Sequence, residues 1–161
     1  MANKQQIEVP RLLWLRLVGD LHARGRGSRE SGAFLMGRKN AASRSVVSYI
    51  CYDDLDRNAL TGIVEFHRAG FSKLWDICRE QGLQVLADVH THPGGDVRQS
   101  SLDKANPMLP VRGHVALIVP RFGKTPKWSL SLIGVYRFEG AGQWESFKPT
   151  DENCPVRLSF W

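Results

Sequence analysis

The sequence predicts an α/β (α+β) chain with a central mixed β-sheet flanked by helices. Three observations lead there. Segments of helical spacing alternate with short β-branched or apolar runs. No internal repeat and no linker-like stretch interrupts the alternation. The length, 161 residues, suits one domain able to bury a core without covalent staples. We expect a single domain over 1–161, with its core at about 10–148 and an irregular tail at 149–161.

The first helix is expected to start near Pro10, because proline suits a first helical turn. Leu13, Leu17 and Leu21 recur at helical spacing, and Gly25 and Gly27 end the segment. Residues 31–37 are apolar and bounded by charges, which fits a buried strand. A turn at 39–43 leads to a β-branched and aromatic strand at 46–52. Residues 53–56 read as an acidic loop. Residues 67–81 put Phe71, Leu74 and Cys78 on one side of a helix, with Gly82 at the position of a C-terminal glycine. Residues 83–89 form a strand running straight into His90-Thr91-His92. A glycine-rich loop follows, then a short helix from about Ser101 and strands at 114–119 and 128–138. The tail 153–161, with Phe160 and Trp161, is left with three roles: packing on the core, covering a groove or contacting a partner.

Composition narrows the function. Hydrophobic residues make up 42% and charged residues 24%, ordinary values for a globular chain. No apolar run approaches the roughly 20 residues that span a bilayer. The N-terminus lacks the basic-then-apolar layout of a leader, so a cytoplasmic location is expected. The three cysteines are odd in number and form no CxxC pair, which reads as reduced thiols. A cysteine nucleophile is the sharper alternative, but no histidine is placed beside one. Net charge is +6, yet the basic residues are scattered. The densest group, Arg24, Arg26 and Arg29, sits in a glycine-rich stretch. No nucleic-acid motif appears, so the charge biases partner choice without defining the activity.

The chemistry concentrates between His90 and Asp103. Two histidines at i and i+2 on a strand end share one face and can grip one metal ion. A carboxylate returned by the following loop supplies a third ligand. Two histidines and a carboxylate leave a fourth position open, the arrangement of catalytic zinc. On geometry alone Asp88, Asp96 and Asp103 all compete for that third place. Each piece also has a plainer reading. An HxH pair can be two ordinary histidines, and Ser100-x-x-Asp103 can be a helix N-cap with an acidic first turn.

The combination resembles the JAMM motif of the JAB/MPN zinc metallopeptidases. That motif runs from a glutamate to His-x-His, then seven residues, then Ser-x-x-Asp. Here Pro93 to Gln99 are the seven residues between His92 and Ser100. Upstream, Glu30-Ser-Gly-Ala-Phe-Leu-Met-Gly37 resembles the family's glutamate strand, with Ala33 where glycine is common. The resemblance covers roughly residues 29–138 and implies the JAB/MPN fold. It implies that His90, His92 and Asp103 bind zinc and that Glu30 acts as general base. It also implies that Ser100 hydrogen-bonds the developing oxyanion. Asp88 then becomes a partner that orients an imidazole, and Glu65 and Glu80 remain rival bases.

Within that family the chain is similar to small bacterial stand-alone JAB deconjugating proteases, on the runs Gln99-Ser-Ser-x-Asp-x-Ala-Asn-Pro and Gly113-His-x-Ala-Leu-Ile-Val-Pro. One branch of these belongs to CBASS antiphage operons. The implied substrate is a protein conjugate with an extended C-terminal tail, from a ubiquitin-like protein or a CBASS nucleotidyltransferase. The tail would add a strand to a sheet edge. Two alternatives of other classes stand beside it: an inactive MPN scaffold, and a nucleic-acid-associated JAB protein.

Overall fold

A computed structural model describes residues 6–60, 68–124 and 129–160. Strand β1 (Ile7–Pro10) leads directly into helix α1 (Arg11–Gly25). Trp14, Leu17, Val18 and Leu21 form its buried stripe at helical spacing. Gly25 is the last helical residue, and the left-handed stop falls on Arg26 at φ 52, followed by Gly27 at φ 67. Strands β2 (Gly32–Arg38) and β3 (Val46–Cys51) follow. The expected acidic loop is instead a one-turn helix, α2 (Tyr52–Leu55). Buried Tyr52 and Leu55 anchor it, while Asp53 and Asp54 suit the positive end of the helix dipole.

Helix α3 (Arg68–Gln81) ends at Gly82, whose φ of 65 favours glycine. The expected helix start at His67 lies outside the described residues, as do Glu65, Trp128 and Trp161. Strand β4 (Leu83–Thr91), helix α4 (Ser101–Ala105) and strand β5 (Val115–Val119) come next. Strand β6 (Gly134–Gly140) starts later than expected, and β7 (Gln143–Phe147) was not foreseen. The chain returns through β8 (Val156–Ser159).

Six strands form one sheet in the order β3-β2-β4-β5-β6-β7. Only β4 and β5 run parallel within it; the other neighbours are antiparallel. Period-two alternation divides the side chains between two faces. Ala33, Leu35, Ala87, Val89, Val115, Leu117 and Val119 face the core that also holds α1, β1 and β8. Phe34 and Met36 face the second core, with Tyr52, Leu74 and Cys78. The same alternation turns Asp88 and His90 to the second face, and there the candidate site opens. No helix among the described residues is long and apolar enough to cross a membrane.

The expected irregular tail is corrected by β8, which pairs in parallel with β1, matching Ile7 to Val156 and Pro10 to Ser159. Ile7, Val9, Cys154 and Val156 are at most 1% exposed, so the core extends beyond 10–148 at both ends. Phe160 remains 81% exposed. The Arg11 guanidinium lies over its ring, 5.3 Å from the centroid.

Gly32, like Gly37 and Gly134, is a place where the fold tolerates no side chain. A Cβ there would sit 2.3 Å from the Tyr52 ring and 2.7 Å from the Val89 carbonyl oxygen. A Cβ on Gly82 meets nothing within 4 Å and suffers only its positive φ. Gly32→Ala should therefore cost about 1–3 kcal/mol or more by overpacking, and Gly82→Ala about 1–2 kcal/mol by backbone strain. Urea denaturation should rank Gly32→Ala as the more damaging.

Candidate metal centre

The site is built on the pairing of β2 with β4. Gly32 lies opposite His90, Ala33 opposite Val89 and Phe34 opposite Asp88. The register continues beyond the strand. The Ser31 N–H donates to Thr91 Oγ1 at 3.0 Å, and the Thr91 N–H donates to the Ser31 carbonyl at 2.9 Å. Both residues are fully buried. The Ser31 hydroxyl donates to the Leu21 carbonyl at 2.7 Å, which ties the clasp to α1. Glu30 and His92 are the next residues outward from this clasp.

His90, His92 and Asp103 converge on one point. His90 Nε2 lies 3.1 Å from His92 Nε2, His92 Nε2 lies 3.2 Å from Asp103 Oδ2, and His90 Nε2 lies 3.4 Å from Asp103 Oδ1. Among the described residues this is the one group of three or more metal-ligating side chains found. A tetrahedral zinc ion with bonds of about 2.0–2.1 Å spaces its donors about 3.3–3.4 Å apart. The triangle matches that spacing.

Hydrogen bonding favours a cation at its centre. His92 Nδ1 faces the Asp96 carbonyl oxygen at 3.0 Å. That contact assigns the ring proton to Nδ1, and in the neutral ring Nε2 then carries a lone pair. The lone pair faces a carboxylate oxygen and another imidazole nitrogen. Such an arrangement is stable only with a proton or a metal ion between the groups. The three residues therefore fit a zinc ion.

The loop after His92 is pinned at both ends. His92 donates its N–H to Val119 and accepts from the Phe122 N–H, each at 2.9 Å. At the far end, Ser100 Oγ accepts from the Asp103 N–H at 3.1 Å, and Asp103 Oδ2 accepts from the Ser100 N–H at 2.8 Å. This capping box starts α4 and orients the Asp103 carboxylate toward the histidines. Ser100 thus caps the helix and stands at the site at once. Accepting that bond leaves its hydroxyl proton able to donate elsewhere.

Burial alone would push the Asp103 carboxyl up, but hydrogen bonds with His90 and His92, their charge and the Ser100 N–H hold it well below the usual carboxylate range. The same contact with Asp103 raises the His92 pKa against its burial, helped by the Asp96 carbonyl and by the charges of Asp103 and Glu30.

A cleft of about 800 Å³ opens over the site. Glu30, His90 and Asp103 line one part of it, and Tyr52, Phe71, Trp75 and Met108 form an apolar wall. Glu30 also lines the adjoining cavity with His92 and Ser100. The rival base Glu80 is exposed on α3 and does not line the cleft.

Asp88 and Asp96 take other roles. Asp88 is 2% exposed and accepts from His114 Nε2 at 2.6 Å and from the Tyr52 hydroxyl at 3.3 Å. It orients an imidazole, as expected, but that of His114. Burial and the Asp88 charge push the Tyr52 hydroxyl well up, so it stays a donor. The Asp96 side chain pairs with Arg98 at 2.7 Å and contributes only its carbonyl to the site. The Arg98 hydrogen bond holds the Asp96 carboxyl well below its usual range. All three cysteines are buried and unbridged, and burial pushes the Cys51 thiol up to about 12. That environment suits packing and opposes a nucleophilic thiolate.

Sequence reasoning did not single out Ser31, Thr91, Tyr52 or His114. Ser31 and Thr91 carried a faint signal as polar residues beside Glu30 and between the two histidines. His114 heads an apolar run, where a buried histidine requires a partner.

Residues 16–133 match the family model of prokaryotic homologs of the JAB domain. A curated protein of Sinorhizobium fredii, named a probable metalloprotease, is 31% identical over 65 residues, covering 40% of this chain and 39% of that protein. The match thus spans about two fifths of that relative's length. A solution structure of a Desulfitobacterium hafniense protein has a TM-score of 0.64 at 19% identity, over 96% of this chain and 93% of that one. A Salinibacter ruber solution structure has a TM-score of 0.56 at 17% identity, over 91% and 94%. These two likenesses speak for the fold. With more than half of its length matched by the family model, the chain belongs to the prokaryotic homologs of the JAB domain.

Proposed function

We propose that this protein is a zinc-dependent peptidase that hydrolyses the bond between the C-terminus of a conjugated protein and its target amine. The observation that carries the reading is the 3.1–3.4 Å triangle of His90, His92 and Asp103, with Glu30 lining the same cleft. A zinc ion held there would supply Lewis acidity to a carbonyl oxygen and to a water molecule.

The chain's own groups supply the rest. Glu30 accepts a proton from the attacking water as the carbon–oxygen bond forms. The Ser100 hydroxyl donates a hydrogen bond to the developing oxyanion. Glu30 then delivers its proton to the amine nitrogen as the carbon–nitrogen bond breaks, which leaves a carboxylate and a free amine. The apolar wall of Tyr52, Phe71 and Trp75 gives an extended tail a surface to lie along. The substrate class we infer is a conjugate of a ubiquitin-like protein or of a CBASS nucleotidyltransferase. The reaction would reverse conjugation in antiphage defence. What supports that narrower assignment is the similarity of the 88–120 segment to stand-alone bacterial deconjugating proteases.

Elemental analysis of gently dialysed protein should find about one zinc per chain, and His92→Ala should lose it. Zinc-free wild-type protein would return the chain to the scaffold reading. Glu30→Gln should keep the zinc and lower kcat on a conjugate by about 10²–10⁴-fold; cleavage at the wild-type rate would remove Glu30 from the mechanism.

Zinc and a proton compete for His92. Because the Asp103 contact raises the His92 pKa, protons begin to compete above the usual histidine value of about 6.5. Apparent zinc affinity should fall as pH drops through the raised value, by up to about tenfold per pH unit for one displaced proton. Titration against a chromophoric chelator across that window checks the slope.

A further inference from the structure

Three successive residues, Arg121, Phe122 and Gly123, have φ values of 55, 54 and 82. Side chains disfavour this left-handed region, and two of the three carry one. Such residues persist where their surroundings over-determine them, and they gather at functional sites. Here the surroundings are specific. The Arg121 N–H donates to the Gly94 carbonyl, and the Phe122 N–H donates to the His92 carbonyl, each at 2.9 Å. The strained turn therefore grips the loop that carries a candidate ligand.

The turn is itself seated on α1. A Cβ on Gly123 would lie 3.1 Å from the Val18 carbonyl oxygen and 3.3 Å from His22 Cβ. His22 Nδ1 reaches the Phe122 carbonyl oxygen at 3.1 Å, across 100 residues of sequence. Phe122 is thus held at both ends: its C=O by the His22 side chain, its N–H against His92. His92 lies one residue past the end of β4, so it relies on these contacts and on Val119 for its backbone position.

We propose that His22 is a positioning residue for the metal centre, acting through Phe122 on His92. The proposal rests on the reading of His90, His92 and Asp103 as a zinc site. His22 touches neither the three ligands nor the cleft lining, and its effect is to fix the angle at which the His92 ring meets its partners. Partners that orient a ligand in this way are typically worth about 10–100-fold in metal affinity.

The test is zinc affinity, read by competition with a chromophoric chelator on the full chain, for wild type, His22→Ala and His22→Asn. Asparagine places an amide nitrogen the same number of bonds from Cα as Nδ1, so it can restore the bond to Phe122. His22→Ala should weaken zinc binding by about 10–100-fold, while His22→Asn stays within about threefold of wild type. Val156→Ala, a core variant in the strand paired with β1, serves as the stability control. Wild-type affinity in His22→Ala overturns the proposal. So does an equal loss in Val156→Ala at a matched fall in Tm, which would reduce His22 to general stability. If wild type binds no zinc, the metal reading fails together with the proposal. If wild type binds zinc and only the His22 variants disagree, the metal reading stands and the proposal alone fails.

Discussion

Gly32 lies opposite His90, and that one pairing sets which face of the sheet His90 and Asp88 present. Because side chains alternate along a strand, a slip of one residue would turn His90 into the core and Val89 into the cleft. The buried hydrogen bonds between Ser31 and Thr91 fix the register at the end nearest the site. Glu30 and His92 are the next residues outward, and neither is within a strand. The candidate base and a candidate ligand thus flank one pairing. Gly32 makes the arrangement fit, since Tyr52 packs where its side chain would be.

The third ligand is positioned by a different device. Asp103 belongs to a helix of five residues, too short to be stable through its own hydrogen bonds. The capping box with Ser100 nucleates that turn and aims the carboxylate in the same act. Asp103 Oδ2 stands 2.8 Å from the Ser100 nitrogen and 3.2 Å from His92 Nε2. The plain reading of Ser-x-x-Asp as a helix cap and the reading of it as a site therefore describe one set of bonds.

The centre was legible in the sequence because its parts are short-range and rich in chemistry. His90 and His92 lie at the period of a strand, and Ser100 and Asp103 at the spacing of a cap. Strands β2, β4 and β5 were visible as apolar runs for the same reason. What stayed hidden depends on contacts between distant segments. β1 is four residues long and β8 matches it only across the whole chain, so neither displays a pattern alone. α2 was obscured by Asp53 and Asp54, whose helix-starting role depends on the burial of Tyr52 and Leu55. Asp88 sits on the ligand face by alternation, but its partner is His114, 26 residues away and just before the neighbouring strand β5. The left-handed turn at Arg121–Gly123 also escaped notice, because only one of its three residues is a glycine.

The parallel pairing of β1 with β8 has a consequence for synthesis. A ribosome releases Ile7–Pro10 well before the partner strand Val156–Ser159. Until then β1 is held by its packing on α1 and β3 and by its pairing near Arg44 and Ser45. Ile7 and Val9, fully buried in the finished fold, remain incompletely covered until β8 has emerged. Closure of the main core therefore waits for β8, and its long sequence separation places it among the slower events of folding.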